Sequence, residues 1–133
     1  MLILLAFLCV ACHPSYISEM VEADQELEYV LRANLEDPDA LLAALDAYID
    51  KYQPLWDKNA EHLKLEGKDL ERVDAKYDRE INVVGARVRE IFLNIVDLDL
   101  EIQDRLQNDP QKLRDYQARI MKIGVPQSQN SER

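Results

Sequence analysis

Carboxylates are the most abundant reactive groups in this chain of 133 residues, with 26 acidic side chains against 16 lysines and arginines. Metal binding is therefore the first chemistry to test. Asp97, Asp99, Glu101 and Asp104 run along the segment DLDLEIQD at the spacing of a calcium loop. Such a loop needs glycine at its sixth position for the sharp turn, and Ile102 stands there. On a helix the four carboxylates point in different directions and cannot converge on one ion. Asp57, Asn59 and Glu61 fail in the same way, with His62 where glycine is required. The only histidines are His13 and His62. No HExxH or Glu-x-x-His spacing exists, so neither a zinc protease site nor a di-iron bundle site can be assembled. No metal or other cofactor is expected.

Nucleophiles are equally scarce. Ser15, Ser18, Ser128 and Ser131 all lie near the ends of the chain, whereas nucleophilic catalysis needs a preorganised base beside the nucleophile. Glu61 and His62 are adjacent in sequence and so do not share a helix face. Three isolated glycines cannot form a phosphate-cradling loop. The chain is expected not to be an enzyme. Aromatic residues give one further candidate: Tyr48, Tyr52 and Trp56 recur at i, i+4, i+8. Such a stripe can serve as a binding face, since Trp and Tyr anchor interfaces. It is also in phase with Leu41, Leu45 and Leu63, which favours a place in the core with the polar tips at its edge.

Residues 1–12 read MLILLAFLCVAC and carry no charged side chain. The run is too short to span a bilayer, which takes about 20 apolar residues in a helix. It has the length of a signal-peptide apolar region and ends in small residues. The segment resembles the signal peptide of bacterial lipoproteins, whose box ends in small residues and a lipidated cysteine. Here that box is Cys9-Val10-Ala11-Cys12, with Cys9 where leucine is usual and without the basic residues expected near the start. The resemblance implies cleavage after Ala11 and a lipid on Cys12. It also favours the outer membrane, because His13 is not the aspartate that commonly retains lipoproteins at the inner membrane. Two acyl chains, at about 0.8 kcal/mol per buried CH₂, suffice for stable attachment. Both cysteines lie in this segment, so residues 13–133 can hold no internal disulfide. The alternative is that residues 2–11 form a buried apolar helix of a cytosolic protein.

The charge is uneven. Residues 13–60 hold 11 acids and 3 bases, and residues 101–133 hold 5 acids and 6 bases. An acidic first half repels phosphate backbones, so no nucleic-acid partner is expected. The acidity can attract a basic partner, but its simpler role is solubility.

One domain of helices must carry whatever function there is. Leu, Ala, Glu, Asp, Lys and Arg dominate, threonine is absent, and no window alternates like a half-buried strand. A first helix is expected from about residue 16 to 35, with Ile17, Met20, Val21, Leu27, Leu31 and Leu35 on its apolar side. Asp37-Pro38 starts a second helix, Asp37 as N-cap and Pro38 at N1. Pro54 should kink or split it, and Gly67 should cap its end. The third helix, from about 69 to 107, places eleven apolar residues from Leu70 to Leu106 at a mean spacing of 3.6, one face of a straight helix. Gly85 on its core side is expected to admit a close neighbour. Asp109-Pro110 repeats the cap chemistry and opens a fourth helix that buries Leu113, Tyr116, Ile120 and Ile123. It stops at Gly124.

At 1.5 Å per residue the third helix spans roughly 58 Å and the second at most about 42 Å. Short connections make these two antiparallel neighbours. The third should then overhang by about ten residues at Phe92–Leu106, where Leu93, Val96 and Leu100 add a second apolar stripe. The expected fold is all-α, an elongated antiparallel bundle of three to four helices. Its divisions are a signal peptide (1–11), a lipidated N-terminus and tether (12–15), the helical domain (16–124) and a disordered tail (125–133). The expected function is that of a membrane-anchored envelope protein acting non-catalytically on another envelope protein or structurally. The alternative is a soluble periplasmic helical chaperone or carrier of apolar ligands.

Overall fold

The computed structural model describes residues 16–62 and 64–127. The expected signal peptide, Cys12 and the last part of the tail lie outside them. The described chain is all-α: α1 (Tyr16–Ala33), α2 (Pro38–His62), α3 (Gly67–Leu106) and α4 (Pro110–Ile120). Both cap sequences act as their chemistry dictates. Asp37 Oδ1 accepts from Ala40 N at 3.0 Å, and Asp109 Oδ1 accepts from Lys112 N at 3.2 Å. Each carboxylate satisfies an orphan amide of the first turn, while the following proline has no amide to satisfy.

Of the kink or split expected at Pro54, the split is absent, and α2 runs through the proline as one helix. Tyr52, Leu55 and Trp56 on either side of it are all buried, so packing holds the helix across the missing hydrogen bond. Gly67 has the expected positive φ of 61° but stands at the start of α3 rather than as the cap of α2. At the other end, Gly124 turns the chain with φ 80°. Residues 125–127 then follow α2 instead of leaving the surface: Gln53 Nε2 donates to Val125 O at 2.9 Å, and Gln127 N donates to Asp57 Oδ1 at 2.8 Å.

The order of helices around the core also departs from expectation. α2 and α3 run antiparallel but touch little, because α1 lies between them on one side and α4 on the other. α1 packs most extensively on α3, to which it is parallel: Asn94 Nδ2 donates to Glu28 Oε1 at 3.1 Å, and Arg105 Nη1 donates to Glu36 Oε1 at 2.8 Å. Against α2 it is antiparallel, with Lys58 pairing with Glu19 at 3.5 Å and Lys51 with Glu26 at 2.6 Å, and Tyr48 Oη donates to Ala23 O at 3.0 Å. α4 bridges α2 and α3. Arg119 grips Asp46 of α2 through two hydrogen bonds, and Tyr116 Oη donates to Asp99 of α3 at 2.6 Å.

The centre of this arrangement is one cluster that includes Leu27, Leu31, Leu45, Tyr48, Ile102, Leu106 and Tyr116. It fixes which end of α3 is embedded. Ile91, Leu98, Ile102 and Leu106 are buried, whereas none of residues 75–90 is. The expected overhang at Phe92–Leu106 is therefore wrong. The short 34–37 connection sets the start of α2 level with the end of α3, where Leu35, Pro38, Leu41, Ile102 and Leu106 line a common cavity. The surplus length of the 40-residue α3 falls at its N-terminal half instead. Leu93, Val96 and Leu100, the second apolar stripe, face outward at 52%, 37% and 60% exposure.

Gly85 does not sit under a neighbouring helix. A Cβ built there meets nothing within 4 Å. The glycine thus weakens α3 with no packing return, and Gly85→Ala is expected to stabilise the protein by about 1 kcal/mol. A shift of the urea midpoint to higher concentration with unchanged slope checks this.

Candidate functional site

α4 is 11 residues long, about 16 Å, and fills the channel between α2 and α3 only near their capped end. Beyond it the chain continues along α2 as far as Asp57, and among the described residues the space on the α1 and α3 side stays open. The result is a cleft of about 490 Å³ whose walls come from α1, α3 and the end of α2. Ile17, Met20 and Val21 form the α1 wall; Ile81, Val88 and Phe92 form the α3 wall; Asn59 closes it from α2. A volume of roughly 300–1,000 Å³, apolar walls and a few polar groups are the usual marks of a binding site.

Two charged residues enter the cleft, Asp24 from α1 and the exposed Arg89 from α3. Asp24 is the informative one. It is half-buried, and this burial alone pushes its carboxyl above the usual carboxylate range. It makes no hydrogen bond or ion pair with another described residue. Beside the cleft, Glu80 Oε2 is also buried without a hydrogen-bond partner.

An ionised group held in this way costs stability. Asp24→Asn is therefore expected to raise stability at neutral pH by a few tenths of a kcal/mol, after discounting for its partial exposure. The sign follows from the raised folded pKa. Stability from this group is fully present only below its unfolded value and is lost as pH rises through the folded one. Below the ordinary carboxylate range the wild-type residue is neutral in both states, and the advantage of Asn should vanish. Urea unfolding at neutral and acidic pH measures both halves of the prediction.

The residues singled out by sequence lie elsewhere. Tyr48, Tyr52 and Trp56 are only 2%, 8% and 4% exposed. Their rings pack on one another, with centroids 4.9 Å apart for Tyr48–Tyr52 and 6.1 Å for Tyr48–Trp56. Tyr52 Oη donates to Glu26. As a binding face the stripe is corrected: its rings belong to the core, where its phase with Leu41 and Leu45 puts it. Asp99 accepts hydrogen bonds from Tyr116 and Gln103, and Glu101 pairs with Arg105, so the acidic run diverges as helix geometry requires. Among the described residues no group of three or more His, Cys, Asp or Glu side chains is placed to hold a metal ion. His13 and Cys12 lie outside the described residues.

Sequence reasoning missed Asp24, although a signal was present. Ile17, Met20, Leu27 and Leu31 mark the apolar side of α1 at steps of three and four, and position 24 completes that series. A carboxylate at a position the helix period assigns to the interior is a local inconsistency, and such inconsistencies collect at functional sites.

The chain has no match among known protein-family models, curated proteins or solved structures.

Proposed function

We propose that this is a lipid-anchored protein of the bacterial cell envelope, processed after Ala11, lipidated on Cys12 and acting without catalysis by binding another envelope protein. The anchor rests on the Cys9-Val10-Ala11-Cys12 box and on the confinement of both cysteines to residues 1–12. No helix of the described residues is long and apolar enough to cross a membrane, so attachment would depend on the lipid. The outer membrane, with the domain facing the periplasm, is the favoured site because His13 follows the cysteine.

The observation that carries the binding role is the apolar surface of α3. Phe92, Leu93, Val96 and Leu100 stand exposed on consecutive turns of one helix, and exposed apolar patches of this kind mark interaction sites. A second reading, a soluble periplasmic chaperone or carrier of apolar ligands, draws support from the volume of the cleft.

An intact mass of the protein from the host membrane fraction separates the two. Residues 12–133 plus a diacylglycerol-type modification is the expected result, and Cys12→Ala should move the protein to the soluble fraction. An unmodified full-length mass in the soluble fraction would overturn the anchor.

A further inference from the structure

We infer that the cleft between α1 and α3 seats a short amphipathic helix of a partner protein, apolar on one face and carrying a basic side chain opposite Asp24. The inference rests on the lipid-anchored reading, in which residues 1–11 are gone from the mature chain.

Shape points to a helix as the occupant. α4 already lies as a helix in the channel between α2 and α3, and the cleft is the continuation of that channel beyond the end of α4. The α3 wall from Ile81 to Phe92 rises about 17 Å, the length of a helix of about three turns. Gly85, midway along this wall, presents no side chain and leaves open space in front of it.

Charge points to a basic occupant. Asp24 lines the cleft half-buried and with no hydrogen bond or ion pair to another described residue, while Glu80, whose buried Oε2 also lacks a hydrogen-bond partner, lies outside the cleft lining. A carboxylate so placed gains most from a cation that arrives with the group covering it. The net charge of −8 over residues 13–60 would also speed the approach of a basic partner. Arg89, exposed and also lining the cleft, suits an acidic residue elsewhere on the same helix. The cost of leaving Asp24 unpaired in the free protein is the usual trade of stability for function.

The test uses synthetic amphipathic peptides of about twelve residues, rich in Leu and Ala, with one central Lys or, in a matched peptide, one central Glu. Binding is followed by the fluorescence anisotropy of a label on the peptide. The protein is taken from its host membrane in nanodiscs of neutral lipid, and empty nanodiscs give the lipid background. The lysine peptide is expected to bind at least about tenfold more tightly than the glutamate peptide, and Asp24→Asn to remove most of that difference. Asp24→Asn adds no bulk, and circular dichroism confirms that it folds. Equal affinities, no binding by either peptide, or discrimination that survives Asp24→Asn would each overturn the proposal. A third peptide carries residues 1–11 of this chain. If it binds more tightly than the lysine peptide and ignores Asp24→Asn, the cleft belongs to the chain's own leader and the proposal fails. The mass of the purified protein reports on the anchor separately, so failure of one reading is distinguishable from failure of the other.

Discussion

Tyr116→Ala is expected to destabilise the protein by about 3–5 kcal/mol, the range for removing a buried aromatic ring. In a domain of this size that lowers the melting temperature by at least about 10 °C. Tyr116 is fully buried and is the residue through which α4 closes the core between α2 and α3. Its loss leaves a cavity where three helices meet. Tyr116→Phe keeps the ring and removes only the hydroxyl that donates to Asp99. Gln103 still donates to Asp99 at 2.8 Å, so the carboxylate is not orphaned. The expected cost is then about 1–2 kcal/mol. Thermal unfolding of both variants decides the matter. Equal losses would mean that the hydrogen bond, rather than the ring, holds α4 in place.

Alkaline pH should unfold the protein steeply. Burial raises the phenol of Tyr48 well above the ordinary tyrosine range, and burial followed by the hydrogen bond to Asp99 does the same for Tyr116. Tyr52 is pushed up to about 12 by burial and by its hydrogen bond to Glu26. An unfolded tyrosine ionises near pH ~10. All three folded values lie above the unfolded one, so their stabilising contribution is complete below pH ~10 and is lost as pH rises through the folded values. Each buried phenol can add a slope of up to about 1.4 kcal/mol per pH unit. Phenolate absorbance and circular dichroism, followed together from neutral pH upward, should change for these residues in a single cooperative step. Smooth ionisation without loss of helix would show the three hydroxyls to be accessible in the native state.

Much of the fold was legible because local chemistry dictated it. Asp37-Pro38 and Asp109-Pro110 can each do little except start a helix, and both do. The 3.6-residue recurrence from Leu70 to Leu106 likewise leaves a single long helix as the solution for α3. What periodicity cannot convey is which helix meets which. It marked the apolar side of α1 but not that this side is shared between α2 and a parallel α3. The wrong neighbour for α3 then put the overhang at the wrong end. The same gap explains Gly85, whose absent side chain reads equally well as a close contact or an open space. The tyrosine stripe shows the converse, since phase with Leu41 and Leu45 was enough to choose the core. The cleft escaped notice because it is a property of where α4 stops relative to α2 and α3. Only Asp24, a carboxylate in an interior position of α1, left a trace of it in the sequence.

The uneven burial of α3 has a consequence for how the molecule breathes. Amide protons near Leu98 and Ile102 can exchange with solvent only when the whole core opens, whereas those between Ala75 and Glu90, where no side chain is fully buried, are guarded mainly by the helix's own hydrogen bonds. Protection should therefore fall along a single helix, from the slowest class at one end to the fastest at the other. The cleft wall belongs to the fast half. It can yield, turn by turn, to fit what enters, while the half that holds the domain together stays closed.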